Sequence, residues 1–183
     1  MNRNYTPKIN EFQTDLAFSH EDELLNAFYY QQFPSLVKIE LVTDLDLQKQ
    51  GVDKVLHLAS GKEIWIEEKT RRQKYNDILI EMWSVYPENG KHGVVGWIGS
   101  HKKSDYLVYQ FPEGEIYLFP FLLLQKAYLR NGADWVKTYG ERFAQNKGYK
   151  SCNVPVPIPA LLQAIQNEMV YSMTQPHMIQ PAS

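Results

Sequence analysis

Apolar and polar positions alternate along most of this chain, and one early stretch repeats instead at helical spacing. Leu24, Leu25 and Phe28 form a single stripe within a helix predicted from about His20 to Gln32, with Pro34 stopping it. Ser19 followed by Asp22 reads as a capping box with Asp in place of the usual Glu. Glu21 lies on or near the apolar stripe of this helix, whereas Glu23 points outward. Residues 36 to 42, LVKIELV, predict a strand, and TDLDLQKQG after it a polar connection whose Asp44 and Asp46 suit turns. Two further strands follow, Val52 to Leu58 and Glu63 to Lys69, around the turn Ala59-Ser60-Gly61. DILIEMW (77 to 83) and DYLVYQF (105 to 111) predict two more, and EIYLFPF from 115 another. Between them, 84 to 104 reads as a loop. Residues 121 to 130 predict a helix ended by Asn131-Gly132, GYKSCNVPVPIP an extended Pro-broken run, and PALLQAIQNEMV a final short helix. The first 18 residues read as an arm and 172 to 183 as a mobile tail. One α/β (α+β) domain with a mixed central sheet is the expected architecture over 1–183.

The turn length decides what the central hairpin can do. A three-residue loop pairs Leu58 with Lys62 and sets Asp53 opposite Glu67. Two carboxylates and the ammonium of Lys69 then converge at one end of the hairpin. A two-residue loop would shift the register by one and bring Glu68 opposite Asp53 instead. Carboxylate oxygens are hard ligands suited to Mg²⁺, and a neighbouring lysine can orient water or offset charge on a phosphorane-like transition state. The plainer alternative is a hairpin end that is merely solvated.

Composition narrows the classes. A net charge of −2 leaves no overall basic footprint, so any nucleic-acid contact must be a local patch. Arg71, Arg72 and Lys74 follow the hairpin directly and are candidates to hold phosphates. Lys102 and Lys103, between Trp97 and Tyr106, form a second candidate patch with aromatics that could stack bases; a plain loop-to-strand junction is the competing reading. Asp77 and Glu81 share a strand face, with a structural role expected and a metal-ligand role as the alternative. The lone Cys152 excludes an internal disulfide and has no adjacent His, so an inert thiol is expected. No apolar run has the length of a membrane span, the five histidines lack ligand spacing, and MNRNYTPKIN lacks a signal-peptide core, so a cytoplasmic protein is expected.

The series Gly51-Val52-Asp53, thirteen residues, then Glu67-Glu68-Lys69 resembles the signature of the PD-(D/E)xK, restriction-endonuclease-like nuclease superfamily. Glu21-Asp22-Glu23-Leu24-Leu25 is similar to the first-helix motif of archaeal Holliday-junction resolvases in that superfamily. The resemblance covers roughly residues 19 to 83. Val52 stands where the signature has proline, and DILIEMW reads as a strand where many members have a helix. The resemblance implies a restriction-endonuclease-like core and a Mg²⁺-dependent DNA endo- or exonuclease in which Mn²⁺ can substitute. Asp53, Glu67 and Lys69 would be catalytic, with Asp53, Glu67 and Glu21 as metal ligands. DNA is the implied partner, with room for a homodimer and none for a membrane. The alternative is a non-catalytic binding module that uses the same basic loop.

Overall fold

The computed structural model describes residues 23–88 and 92–174. The predicted first helix, α1, is helical over 23–32. Next come β1 (Leu36–Leu41), α2 (Leu45–Lys49), β2 (Lys54–Leu58), β3 (Glu63–Thr70), β4 (Asp77–Val85) and β5 (Val94–Val95). After these stand β6 (Tyr106–Gln110), β7 (Ile116–Pro120), α3 (Phe121–Tyr139), β8 (Arg142–Asn146), β9 (Tyr149–Pro157) and α4 (Ile158–Thr174). Glu21 and the N-terminal arm lie outside the described residues, as does the tail from 175.

Two sheets form. The first is mixed, in the order β1-β2-β3-β6-β7, with β3 and β6 parallel and the other neighbours antiparallel. The second is antiparallel, in the order β5-β4-β9-β8. Alternation along β2, β3 and β6 gives the first sheet two buried faces. Leu56, Ile64, Ile66 and Val108 pack against Leu25 and Tyr29 of α1. Leu107 and Tyr109 point the other way, into a larger core with Ile78, Ile80, Val154 and Val156 of the second sheet and with α3 and α4. Arg130 of α3 holds Glu168 of α4 at 2.6 Å, so the carboxylate is buried with a charged partner.

The connection predicted to be irregular contains a helical turn. Asp44 is its N-cap, accepting hydrogen bonds from the backbone N–H groups of Asp46 (2.7 Å) and Leu47 (3.1 Å). The helix expected to end at Asn131-Gly132 instead continues to Tyr139. Gly132 is buried against the Tyr128 ring, and Asn131 donates its side-chain N–H to the Ala127 carbonyl, so packing overrides a local stop signal. The chain leaves α3 at Gly140, where φ is +73°. The Pro-broken run forms β9. Pro155 and Pro157 pair with Leu79 and Asp77 on β4, and on the other side they lie past Arg142↔Asn153, where β8 ends. No ladder bond to β8 is lost at either proline.

Candidate active site

The hairpin register follows from its turn. Leu58 N–H donates to the Lys62 carbonyl at 2.9 Å, as the three-residue turn predicts, and the pairing runs regularly as far as Lys54 opposite Ile66. Beyond that pair the register slips by one: Asp53 N–H donates to the Ile66 carbonyl at 2.8 Å, as a bulged residue does, and its carboxylate accepts the Glu68 N–H at 2.7 Å. Val52, where the signature carries proline, is fully buried, so the position is filled by apolar packing.

Glu67 and Lys69 project from the same face of β3. Glu67 is 2% exposed. Its Oε1 lies 2.8 Å from Lys69 Nζ and 3.8 Å from Lys102 Nζ, while its Oε2 is buried without a hydrogen-bond partner. Glu68 turns to the opposite face. There it accepts from Tyr29 Oη of α1 and pairs with Lys54 Nζ at 3.1 Å, with the Lys54 ammonium over the Tyr29 ring. Alternation thus separates adjacent glutamates into one that faces the cleft and one that ties α1 to the hairpin.

Asp53, Glu67 and Lys69 line a cleft of about 430 Å³ with Lys49, Glu81, Ser84, Trp97 and Lys102. The cleft continues past Thr70, Leu79 and Tyr109 to Asn153 on β9. It is therefore lined from both sheets. Glu81 reaches it from β4, with its carboxylate accepting from Ser84 Oγ at 2.7 Å. The cleft's back wall is a clamp between two loops. Lys103 N–H donates to the Gln50 carbonyl at 2.9 Å, Lys102 Nζ to the Lys49 carbonyl at 3.3 Å, and Ser104 Oγ to the Gly51 carbonyl. Gly51 has φ of +79°, and a Cβ there would come within 2.7 Å of both Glu67 Oε2 and the Lys102 side chain.

The other basic candidates are less free than their sequence suggests. Arg71 is drawn toward Tyr109 Oη (3.2 Å) and Asp77 (3.7 Å) and stacks over Tyr75, and Lys74 pairs with Glu115 at 3.1 Å. Arg72 is exposed. Lys103 lies over the Trp65 ring. Trp97 is only 6% exposed and Tyr106 packs edge-on against Phe33, so this pair does not form a base-stacking platform. Asp77 stays with Arg71. Sequence reasoning named Glu81 as an alternative metal ligand, missed Lys49, and put Lys102 in a second patch apart from the hairpin. Strand alternation after Asp77 was the available signal for Glu81. Nothing local signals Lys49 or Lys102, which arrive through loop pairing.

Among the described residues, no group of three or more His, Cys, Asp and Glu side chains stands close enough to hold a metal ion. Mg²⁺ commonly takes only one or two protein carboxylates and fills the rest of its shell with water and substrate phosphate. Asp53 and the orphaned carboxylate of Glu67 meet that demand in number and chemistry.

No protein-family model matches the chain. No curated protein matches it in sequence either. Among solved structures the chain is similar to a nuclease from a fusselovirus, at 13% identity and a TM-score of 0.38, over 93% of this chain and 99% of that one.

Proposed function

We propose that this chain is a Mg²⁺-dependent DNA nuclease that hydrolyses phosphodiester bonds in the cleft between its two sheets. The observation that carries the reading is Glu67: a carboxylate almost wholly removed from water, with one oxygen on Lys69 and the other without a protein partner. Such burial is costly unless the group is employed. Asp53 and Glu67 would hold the ion. When bound, Mg²⁺ supplies polarisation of a phosphoryl oxygen and a water of lowered pKa. Lys69, fixed against Glu67, donates a hydrogen bond to the attacking water and offsets charge accumulating on the phosphoryl oxygens. The water oxygen bonds to phosphorus as one ester P–O bond breaks, leaving a phosphate monoester and an alcohol. The cleft's formal charges also suit a polyanion. Asp53, Glu67 and Glu81 balance Lys49, Lys69 and Lys102, so a bound dication leaves an excess of positive charge.

The test is cleavage of duplex, single-stranded and branched DNA with Mg²⁺ or Mn²⁺, with and without chelator. Asp53→Asn and Glu67→Gln should each lower the rate by orders of magnitude. Lys69→Ala should keep Mn²⁺ binding by calorimetry yet lose turnover, because its contribution belongs to the transition state. A parent protein that cuts nothing with either metal, or a Lys69→Ala variant as fast as the parent, would replace this reading with the binding module.

A further inference from the structure

The β8–β9 hairpin stands out from the second sheet. Every residue of β8 is exposed, and the ribbon closes through Lys147-Gly148 with Asn146 paired to Tyr149. Its two faces differ. Phe143 meets the edge of the Tyr86 ring, and Lys150 on the same face pairs with Glu88 at 2.9 Å. Arg142, Ala144, Asn146 and Tyr149 alternate onto the opposite face. Asn153, the cross-strand partner of Arg142, sits on that second face at the ribbon's base and lines the cleft. The open face is therefore a continuation of the cleft wall. It presents Arg142, a 41% exposed Tyr149 and a basic tip at Lys147, and no acidic side chain.

We propose that this face of the β8–β9 ribbon is the surface along which a DNA duplex lies as it enters the cleft, an inference that rests on the nuclease reading. Cationic side chains flanked by small and amide groups suit the phosphate backbone, and an exposed tyrosine adds a hydrogen-bonding contact. A two-stranded ribbon also has the width to follow a duplex groove. Charge complementarity and continuity with the cleft favour nucleic acid over a second copy of the chain.

The experiment is fluorescence anisotropy of a labelled duplex across a KCl series, with Ca²⁺ in place of Mg²⁺, for the full chain and two double variants. Arg142→Ala/Lys147→Ala should weaken binding by about tenfold or more near 0.1 M salt and reduce the salt slope by about two, as expected for two lost phosphate contacts. Lys126→Ala/Lys137→Ala, with the same charge loss on exposed positions of α3, should change neither. Melting curves and light scattering are recorded for each. Equal binding and slope for parent and ribbon variant would overturn the ribbon while leaving the cleft reading intact. A parent that neither binds nor cuts duplex overturns both. An equal loss in the α3 variant, or a parent dimer that the ribbon variant splits, also overturns the proposal.

Discussion

Glu67 shows how one residue's setting is fixed by a neighbour with no side chain. A Cβ on residue 51 would stand 2.7 Å from the Glu67 Oε2, too close for contact, on a backbone whose φ of +79° already favours glycine. Gly51→Ala should therefore strain a left-handed backbone and push Glu67 or Lys102 aside. The expected stability loss is about 1–2 kcal/mol. If the cleft is the proposed nuclease site, the cleavage rate should fall further than stability implies, by about 10²-fold, the order expected when a positioned group is displaced by around an ångström. Melting curves with single-turnover cleavage check this, and a variant that melts low but cuts at the parental rate would disconnect Gly51 from the site. Cys152 illustrates the opposite case, chemistry suppressed by setting. Burial, aided by Glu141 with Oε1 3.5 Å from the sulfur, pushes its thiol up to about 12 from an ordinary 9.0. The native thiol should resist alkylation at pH 8 and react once guanidinium unfolds the chain. The unfolded thiol ionises near its ordinary value while the folded one keeps its proton. The stability this provides is present below about 9.0 and is lost as pH rises toward about 12.

At the level of elements, Glu68 is a fastener. Tyr29 of α1, Lys54 of β2 and Glu68 of β3 meet on the face away from the cleft, and Lys54 is only 5% exposed. Removing the carboxylate takes the anion from a buried ammonium, and Glu68→Ala should cost about 3 kcal/mol. Its lower melting temperature should come with near-parental cleavage well below the transition. A variant that melts like the parent would show that the tie adds nothing. The hairpin was the most legible part of the sequence, because a three-residue turn and strict alternation together determine which side chains share a face. That Glu67 and Lys69 share a face follows from this alternation, while the cleft they line with Asp53 also needs residues from outside the hairpin. Less legible was anything decided by packing. Asn131-Gly132 looks like a helix end and is overruled by the Tyr128 contact. Asp44 looks like turn chemistry and is a helix cap. Lys102 looks like an outer cation and is pulled inward by the pairing of loops distant in sequence.

Across the whole molecule, the strands that alternation predicts one by one are divided between two sheets that no local pattern distinguishes, and β5 and β8 are not predicted at all. Parallel pairing of β3 with β6 joins segments separated by all of β4 and β5, and the cleft is lined by residues of both sheets. The prolines of β9 have a consequence outside the folded monomer. Where β8 stops, no strand among the described residues lies beside that edge of β9, and a row of free amides there would invite another chain to add itself. Pro155 and Pro157 remove two of those donors from the stretch that needs protecting. Pro155→Val with Pro157→Val keeps the strand apolar while restoring the donors. Refolded by dilution at micromolar concentration, that variant should scatter more light and bind more thioflavin T than the parent, with little change in melting temperature. Equal scattering would mean that this edge is guarded by something other than proline. On this view the two residues that make the sequence look least like a strand are the ones that keep it in solution.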